Sequence, residues 1–271
     1  MLTPEGRTHT LASDASVPIL TVEEVTKSFG GVRAVDGCSL SVAEGSITGL
    51  IGPNGAGKTT LFNIITGFLK PSSGRILFRD ERIDSLVPHQ IFHKGVLRTF
   101  QIPHELKSMT VLENLMLVPP GQAGERVWNP WFFPSRVGRQ EEANFAKAQE
   151  VLAFVELGHM RDEYAANLSG GQKKLLELAR TLMCDAKLIL LDEPGAGVNR
   201  VLMKKLVADI ERLRREIGIT FFVIEHDMDL ITQLCDTVIV MSEGKTLAQG
   251  TPEEIKRDER VLEAYLGGQY R

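Results

Sequence analysis

Hydrophobic positions along the chain change period several times. "ILTVEEVTKSF" places β-branched residues near every second position and predicts a strand near Ile19–Phe29, with a turn at Gly30-Gly31. "AVDGCSLSVAEG" predicts a second strand, closed by Gly45. "SITGLIG" is a short apolar strand that runs into "GPNGAGKTTLFNIITGF", where Leu61, Ile64, Ile65 and Phe68 recur at helical spacing. A turn at Pro71–Gly74 leads to a further strand, "GRILFRDERI". From about Ile102 the period is helical. "MTVLENLMLV" has Thr110 as a cap, "QEEANFAKAQEVLAFVELG" predicts a long helix starting near Gln140, and another helix runs on from Lys173. Between the first two lies "PPGQAGERVWNPWFFPSRVGRQ", rich in Gly, Pro and aromatics. Trp128, Trp131, Phe132 and Phe133 are expected to pack this irregular loop locally onto a helix. A docking surface for a partner is the alternative.

The remaining pattern alternates strand and helix. "AKLILLDEP" and "ITFFVIEH" are unbroken apolar runs that suit buried parallel strands. "LMKKLVADIERLRREIG" is an amphipathic helix and "DMDLITQLC" a shorter one. "DTVIVMSEGK" is a strand expected to pair with "TLAQG". "TPEEIKRDERVLEAYLG" predicts one capped helix, with Thr251 as cap, Pro252 in the first turn and Glu254 completing the capping box. Strand–helix alternation on both sides of a helical block predicts an α/β core with an inserted all-helical subdomain. The boundaries read as a mobile extension over 1–18, a core formed by 19–101 and 181–271, and a helical subdomain over 102–180.

Composition narrows the class. The formal net charge is -4, so no broad basic excess exists for non-specific nucleic-acid binding. The 3 cysteines are far apart and form no paired metal motif, which points to a reducing compartment. No apolar run approaches the length of a membrane-spanning helix, and the first residues carry no apolar run of signal-peptide type.

The candidate chemistry concerns phosphate. "GPNGAGKT" at Gly52–Thr59 fits a P-loop between a short strand and a helix. Its glycines let backbone N–H groups curl around phosphate oxygens, Lys58 can reach the β and γ phosphates, and the Thr59 hydroxyl can bind Mg²⁺. Asp192, at the end of a buried strand, is placed for the Mg²⁺ shell, and Glu193 beside it can hold the attacking water as general base. His226 closes another strand and could approach the γ-phosphate. Gln101, at the junction with the helical block, could reach Mg²⁺ or water. "LSGGQKKLLELAR" starts a helix with exposed backbone, so Ser169, Gly170 and Gly171 form a second anion-ready helix start. One cradle already holds one triphosphate, so the second suggests the nucleotide of another subunit.

Together these residues resemble the ATP-binding subunit of an ABC transporter over roughly Ile19 to Gly267. "GPNGAGKTT" matches the Walker A loop, which implies nucleotide contacts from Pro53, Asn54, Ala56 and Thr60 as well. Gln101 matches the Q-loop, "LSGGQ" through Gln172 the signature, "LILLDE" Walker B with catalytic Glu193, and His226 the switch histidine. The resemblance implies a P-loop NTPase core of RecA-like type with an antiparallel β edge, and adenine stacking on Phe29. "KSFGGVRAVDG", "LRTFQ", "LLELAR", "VIEHDMDLI" and "VLEAYLG" are similar to the branched-chain amino-acid importer subgroup, while urea and short-amide importers use closely similar ATPases. Asn199 stands where many members have aspartate, and Arg200 where the subgroup usually has proline.

The resemblance implies ATP and Mg²⁺ as ligands and two ATPase subunits closing head to tail, each offering its signature to the other's P-loop. The implied partners are two transmembrane permease subunits, a second related ATPase subunit or a second copy, and, indirectly, an external solute-binding protein. No nucleic acid is implied. The implied place is the cytoplasmic face of the inner membrane. Soluble non-transport ATPases share the head, but repair members carry long coiled-coil or zinc-bearing inserts and translation members usually two heads.

Overall fold

The computed structural model describes residues 17–99 and 106–267. The expected extension over 1–18 falls almost entirely outside them, and Gln101 falls outside them too. In chain order the elements are β1 (Pro18–Phe29), β2 (Val32–Ala43), β3 (Ile47–Ile51), α1 (Lys58–Ile65), β4 (Ser73–Phe78), β5 (Glu81–Arg82), α2 (Pro88–His93) and β6 (Val96–Arg98). Then come α3 (Val111–Met116), α4 (Asn129–Phe132), α5 (Pro134–Phe154) and α6 (Gly170–Met183), with three 3₁₀ turns among them. The chain continues through β7 (Leu188–Asp192), α7 (Arg200–Ile217), β8 (Thr220–Ile224), α8 (Met228–Leu234), β9 (Thr237–Ser242), β10 (Lys245–Gly250), α9 (Pro252–Arg257) and α10 (Glu259–Gly267). Among the described residues, no helix is long and apolar enough to cross a membrane.

Two sheets form. One is antiparallel, in the order β2-β1-β4-β5; the other runs β10-β9-β3-β8-β7-β6. In the second, β3, β6, β7, β8 and β9 are parallel neighbours and only the β9–β10 pair is antiparallel. The apolar runs read as buried strands are buried throughout in β3, β7 and β8. Side chains on β8 nonetheless divide by the two-residue period. Phe222 and Ile224 join the core under the antiparallel sheet, with Leu61, Phe62 and Ile65 of α1. Phe221 and Val223 join the core under α5, α6 and α7, with Leu152, Leu176 and Ile210. The parallel sheet is therefore the middle layer, covered on both faces.

Some local expectations change. "GRILFRDERI" is a hairpin, because Arg79 and Asp80 both take positive φ, 48° and 64°, and make a two-residue turn of the primed type. α5 begins at Pro134, before Gln140, because proline suits a first helical position. Phe68 falls beyond α1 and is exposed. The C-terminal helix is two helices. Asp258 is extended, and its carboxylate and carbonyl take the N–H groups of Arg260 and Val261 at 2.9 and 3.0 Å. The helix α2 has no counterpart in the sequence reading. The aromatic segment does not pack inward: Trp128, Trp131, Phe132 and Phe133 are all exposed. Its helix of 4 residues is too short to turn four bulky side chains onto one neighbour.

The start of α6 has an internal reason for one glycine. A Cβ on Gly171 would lie 1.4 Å from Leu202 Cδ2 on α7, whereas one on Gly170 would meet only Gly197 O, at 4.0 Å. Gly171→Ala is expected to lower stability by about 1–3 kcal/mol through overpacking. Chemical denaturation should show that loss, Leu202→Ala in the same chain should recover part of it, and Gly170→Ala should change stability far less.

Candidate nucleotide-binding site

The loop Gly52–Gly57 leaves the end of β3 and enters α1. Gly52 has φ 148°, and a Cβ there would sit 2.0 Å from Met241 O. Gly57 has φ 98°, and its Cβ would sit 2.2 Å from Ala34 O. Both must be glycine because backbone closes against backbone. Gly55, at φ 81°, has nothing within 4 Å where a side chain would stand. It borders a cavity of about 480 Å³, a size suited to a small-molecule ligand. Asn54, Ala56, Gly57, Lys58, Thr59 and Thr60 line the same cavity, as do Glu193 and His226.

Lys58 is buried, and its ammonium donates to Gly52 O at 2.8 Å and Pro53 O at 3.1 Å. Burial pulls its pKa below the usual lysine value, while the carboxylates of Glu193 and Asp192 act in the opposite sense. Thr59 is exposed, with its neighbour Thr60 half-buried.

The two carboxylates expected together do sit at the end of β7, in different surroundings. Asp192 is 1% exposed. Its Oδ2 accepts from Arg98 Nη2, and Oδ1 has no partner among the described residues although it is buried. The other arm of Arg98 donates to Asn63 Oδ1 at 2.5 Å, and the guanidinium lies 5.8 Å from the Phe62 ring centroid. Glu193 leaves the strand at φ 50°, its N–H held by Ile224 O at 2.9 Å. That turn brings its Oε1 to 2.9 Å from His226 Nε2. The pairing is a consequence of register, since Asp192 lies opposite Ile224 and the chain after β8 rises between β3 and β7.

Two residues here have no place in the sequence reading. Arg98 had a signal: a guanidinium in the short apolar strand "VLR" needs a buried anion. Glu225 had a weaker one, a carboxylate between an apolar strand and a histidine. It is buried, and it accepts N–H bonds from Gly195 at 2.7 Å and His226 at 3.1 Å. Burial raises its pKa and those backbone N–H groups lower it. It ties the loop after Glu193 to the end of β8.

Other expected residues lie elsewhere. Phe29 is exposed at the β1–β2 turn, 5.3 Å from Lys27 Nζ to the ring centroid, and does not line the cavity; Ala34 of β2 does. Ser169, Gly170, Gly171 and Gln172 also stand outside it. Ser169 Oγ accepts from Gln172 N at 3.4 Å and Gln172 Oε1 accepts from Ser169 N at 2.9 Å, a capping box. Asn199 caps α7 by accepting from Leu202 N at 3.0 Å.

The family model described as "ABC transporter" matches residues 35–196, and that described as "Branched-chain amino acid ATP-binding cassette transporter" matches 245–271. A probable branched-chain amino acid transport ATP-binding protein, LivG, of Archaeoglobus fulgidus is 43% identical over 251 residues, covering 93% of this chain and 96% of the relative. The high-affinity branched-chain amino acid transport ATP-binding protein BraF of Pseudomonas aeruginosa is 40% identical, covering 93% and 99%. A crystal structure of a nucleotide-free ATP-binding cassette from an ABC transporter is 42% identical, covers 92% of this chain and 99% of its own, and superposes with a TM-score of 0.79. Another ATP-binding cassette of an ABC transporter, in its ADP conformation, is 40% identical, covers 93% and 100%, and gives 0.80. With a P-loop whose glycines are fixed by backbone contact and a glutamate–histidine pair at its mouth, the chain belongs to the ATP-binding, ATP-hydrolysing subunits of ABC transporters, and is closely related to those of branched-chain amino-acid transport.

Proposed function

We propose that the cavity at Gly52–Thr60 is where this subunit holds ATP with Mg²⁺, and that its turnover drives import of branched-chain amino acids. The observation that carries the site reading is the Glu193–His226 contact at 2.9 Å beside the P-loop. Glu193 is the general base: water attacks the γ-phosphorus, the bond to the bridging oxygen breaks, and the water proton passes to the Glu193 carboxylate. His226 orients that carboxylate. Lys58 exchanges its two carbonyl partners for the β and γ phosphates, which relieves its desolvated charge. The N–H groups from Gly55 to Thr60 hold the phosphates, with Gly52 and Pro53 shaping the loop. Phe29, exposed at the β1–β2 turn, offers a ring for adenine beyond the residues that line the cavity.

Mg²⁺ fits the donor set. Asp192 Oδ1 is a buried carboxylate oxygen with no partner among the described residues, and Thr59 supplies a hydroxyl at the cavity wall. Those two, with Gln101 as a further ligand, would hold the ion, in the sparse protein coordination that Mg²⁺ takes beside phosphates. The ion would neutralise charge on the β and γ phosphates.

Ser169, Gly170, Gly171 and Gln172 serve the nucleotide of an opposing ATPase subunit. Their support is negative space. They do not line this chain's own cavity, and among the described residues a Cβ on Gly170 would meet only Gly197 O, at 4.0 Å. The core over 19–101 and 181–271 then binds nucleotide and the helical region over 102–180 carries the signature. The opposing subunit is a related ATPase or a second copy. The pair docks on two permease subunits at the cytoplasmic membrane face, served by an external solute-binding protein. The solute follows from the relatives, which are described as branched-chain amino acid transport proteins.

Glu193→Gln should bind ATP as the parent does, by calorimetry, and lose turnover by roughly 10²–10⁴-fold. The reconstituted transporter should lose leucine uptake with it. Hydrolysis at the parental rate would remove Glu193 from the role. Lys58→Ala should instead weaken ATP binding itself, because it deletes the charge facing the phosphates; unchanged affinity would contradict that.

A further inference from the structure

The segment 126–139 is not used by the nucleotide chemistry. It holds both tryptophans of the protein. Trp128 is 72% exposed and Trp131 82%, with Val127, Phe132 and Phe133 exposed beside them. Such exposure in neighbouring large apolar side chains describes a protrusion, not a groove. Its base is held firmly. Asn129 Nδ2 donates to Ala123 O at 2.8 Å, Ala123 N–H to Gln140 Oε1 at 2.6 Å, and Gln140 Nε2 to Gly121 O at 3.2 Å. The rings of Trp128 and Phe132 lie 6.4 Å apart. Arg126, Arg136 and Arg139 are exposed around them and form no ion pair with any described residue. No carboxylate occurs from Arg126 to Gln140, although Glu125, Glu141 and Glu142 flank the stretch.

We propose that this segment is a membrane-surface contact that seats its tryptophan and phenylalanine side chains among the headgroups of an anionic bilayer. Tryptophan favours that interface because its ring is apolar and its N–H stays hydrated. Arginine beside it is drawn to anionic lipid. The charge argues against the main alternative, a loop of a permease. Cytoplasmic loops of membrane proteins carry excess lysine and arginine, so a patch of three arginines with no carboxylate partner among the described residues meets like charge there and opposite charge on lipid. The contact would give the ATPase a hold on the membrane beside its hold on the transporter, whatever the solute.

The two tryptophans make the test direct. Purified full-length chain is mixed with vesicles of phosphatidylcholine alone, or of phosphatidylcholine with phosphatidylglycerol, and followed by flotation and tryptophan emission. The chain should float with the anionic vesicles, its emission should shift to shorter wavelength, and neutral vesicles should bind it far less. Arg126→Gln, Arg136→Gln and Arg139→Gln together should lower anionic-vesicle partitioning on the order of 100-fold. Trp131→Ser with Phe132→Ser should lower binding to both vesicle types. Basal ATP hydrolysis should be unchanged in both variants, which also checks their folding. No flotation with anionic vesicles and no emission shift would overturn the proposal. So would anionic binding that survives both sets of substitutions. If these variants instead impair only assembly with the permease in detergent, without vesicle binding by the parent, the surface is a protein contact and the lipid assignment is wrong.

Discussion

Parallel pairing of β7, β8 and β3 fixes the relative heights at which three strands release their chains. Everything at the nucleotide site hangs from those three ends. β3 gives way to the P-loop, β7 ends in Asp192 and Glu193, and β8 ends just before Glu225 and His226. A slip of one residue in β8 would turn its side chains to the opposite face and take His226 away from Glu193. The register is strongly held because both faces are buried, so a slip would exchange Phe222 and Ile224 with Phe221 and Val223 between two different cores. The meeting of Glu193 and His226 is here a by-product of packing on both sides of one sheet.

Polar groups beneath the site are held to the same standard. Asp192 is buried, and Arg98 from β6, the next strand out, pairs with its carboxylate. Breaking such a pair by removing one partner is far costlier than its net contribution. Glu225 plays the corresponding part for backbone, taking two N–H groups that the turns after β7 and β8 would otherwise leave buried. Both residues leave the cavity mouth to Lys58, Glu193 and His226. One oxygen of Asp192 has no partner among the described residues. The helix α6 is packed through Gly171 against Leu202, and neither Ser169 nor Gly170 lines the chain's own P-loop cavity.

Much of this was legible in the sequence because it rests on local rules. Apolar runs located the central strands, and the loop from Gly52 to Thr59 declared itself through glycine spacing. Thr251 announced its capping box by Glu254 three residues on, and Thr110 its cap. What escaped depends on contacts distant in sequence or on single backbone angles. Arg98 meets Asp192 across 94 positions, so neither residue names the other. The left-handed angles at Arg79 and Asp80 break a strand without a glycine to signal it. Gly171 has a packing reason to be glycine, Leu202 on another helix, that lies 31 positions away and leaves no trace in its own stretch of sequence. The aromatic run at Trp128–Phe133 followed no period, and composition alone favoured packing where the fold exposes it.

The central claim is that one chain holds half of a working site, with its P-loop and its signature facing different nucleotides. The dependence of specific ATPase activity on protein concentration tests it most directly. The purified chain, alone or at equal amounts with a related ATPase subunit, would be diluted while light scattering follows its mass. The account predicts that activity per chain falls as the protein becomes monomeric and recovers on concentration. Constant activity per chain in a sample shown to be monomeric would contradict it.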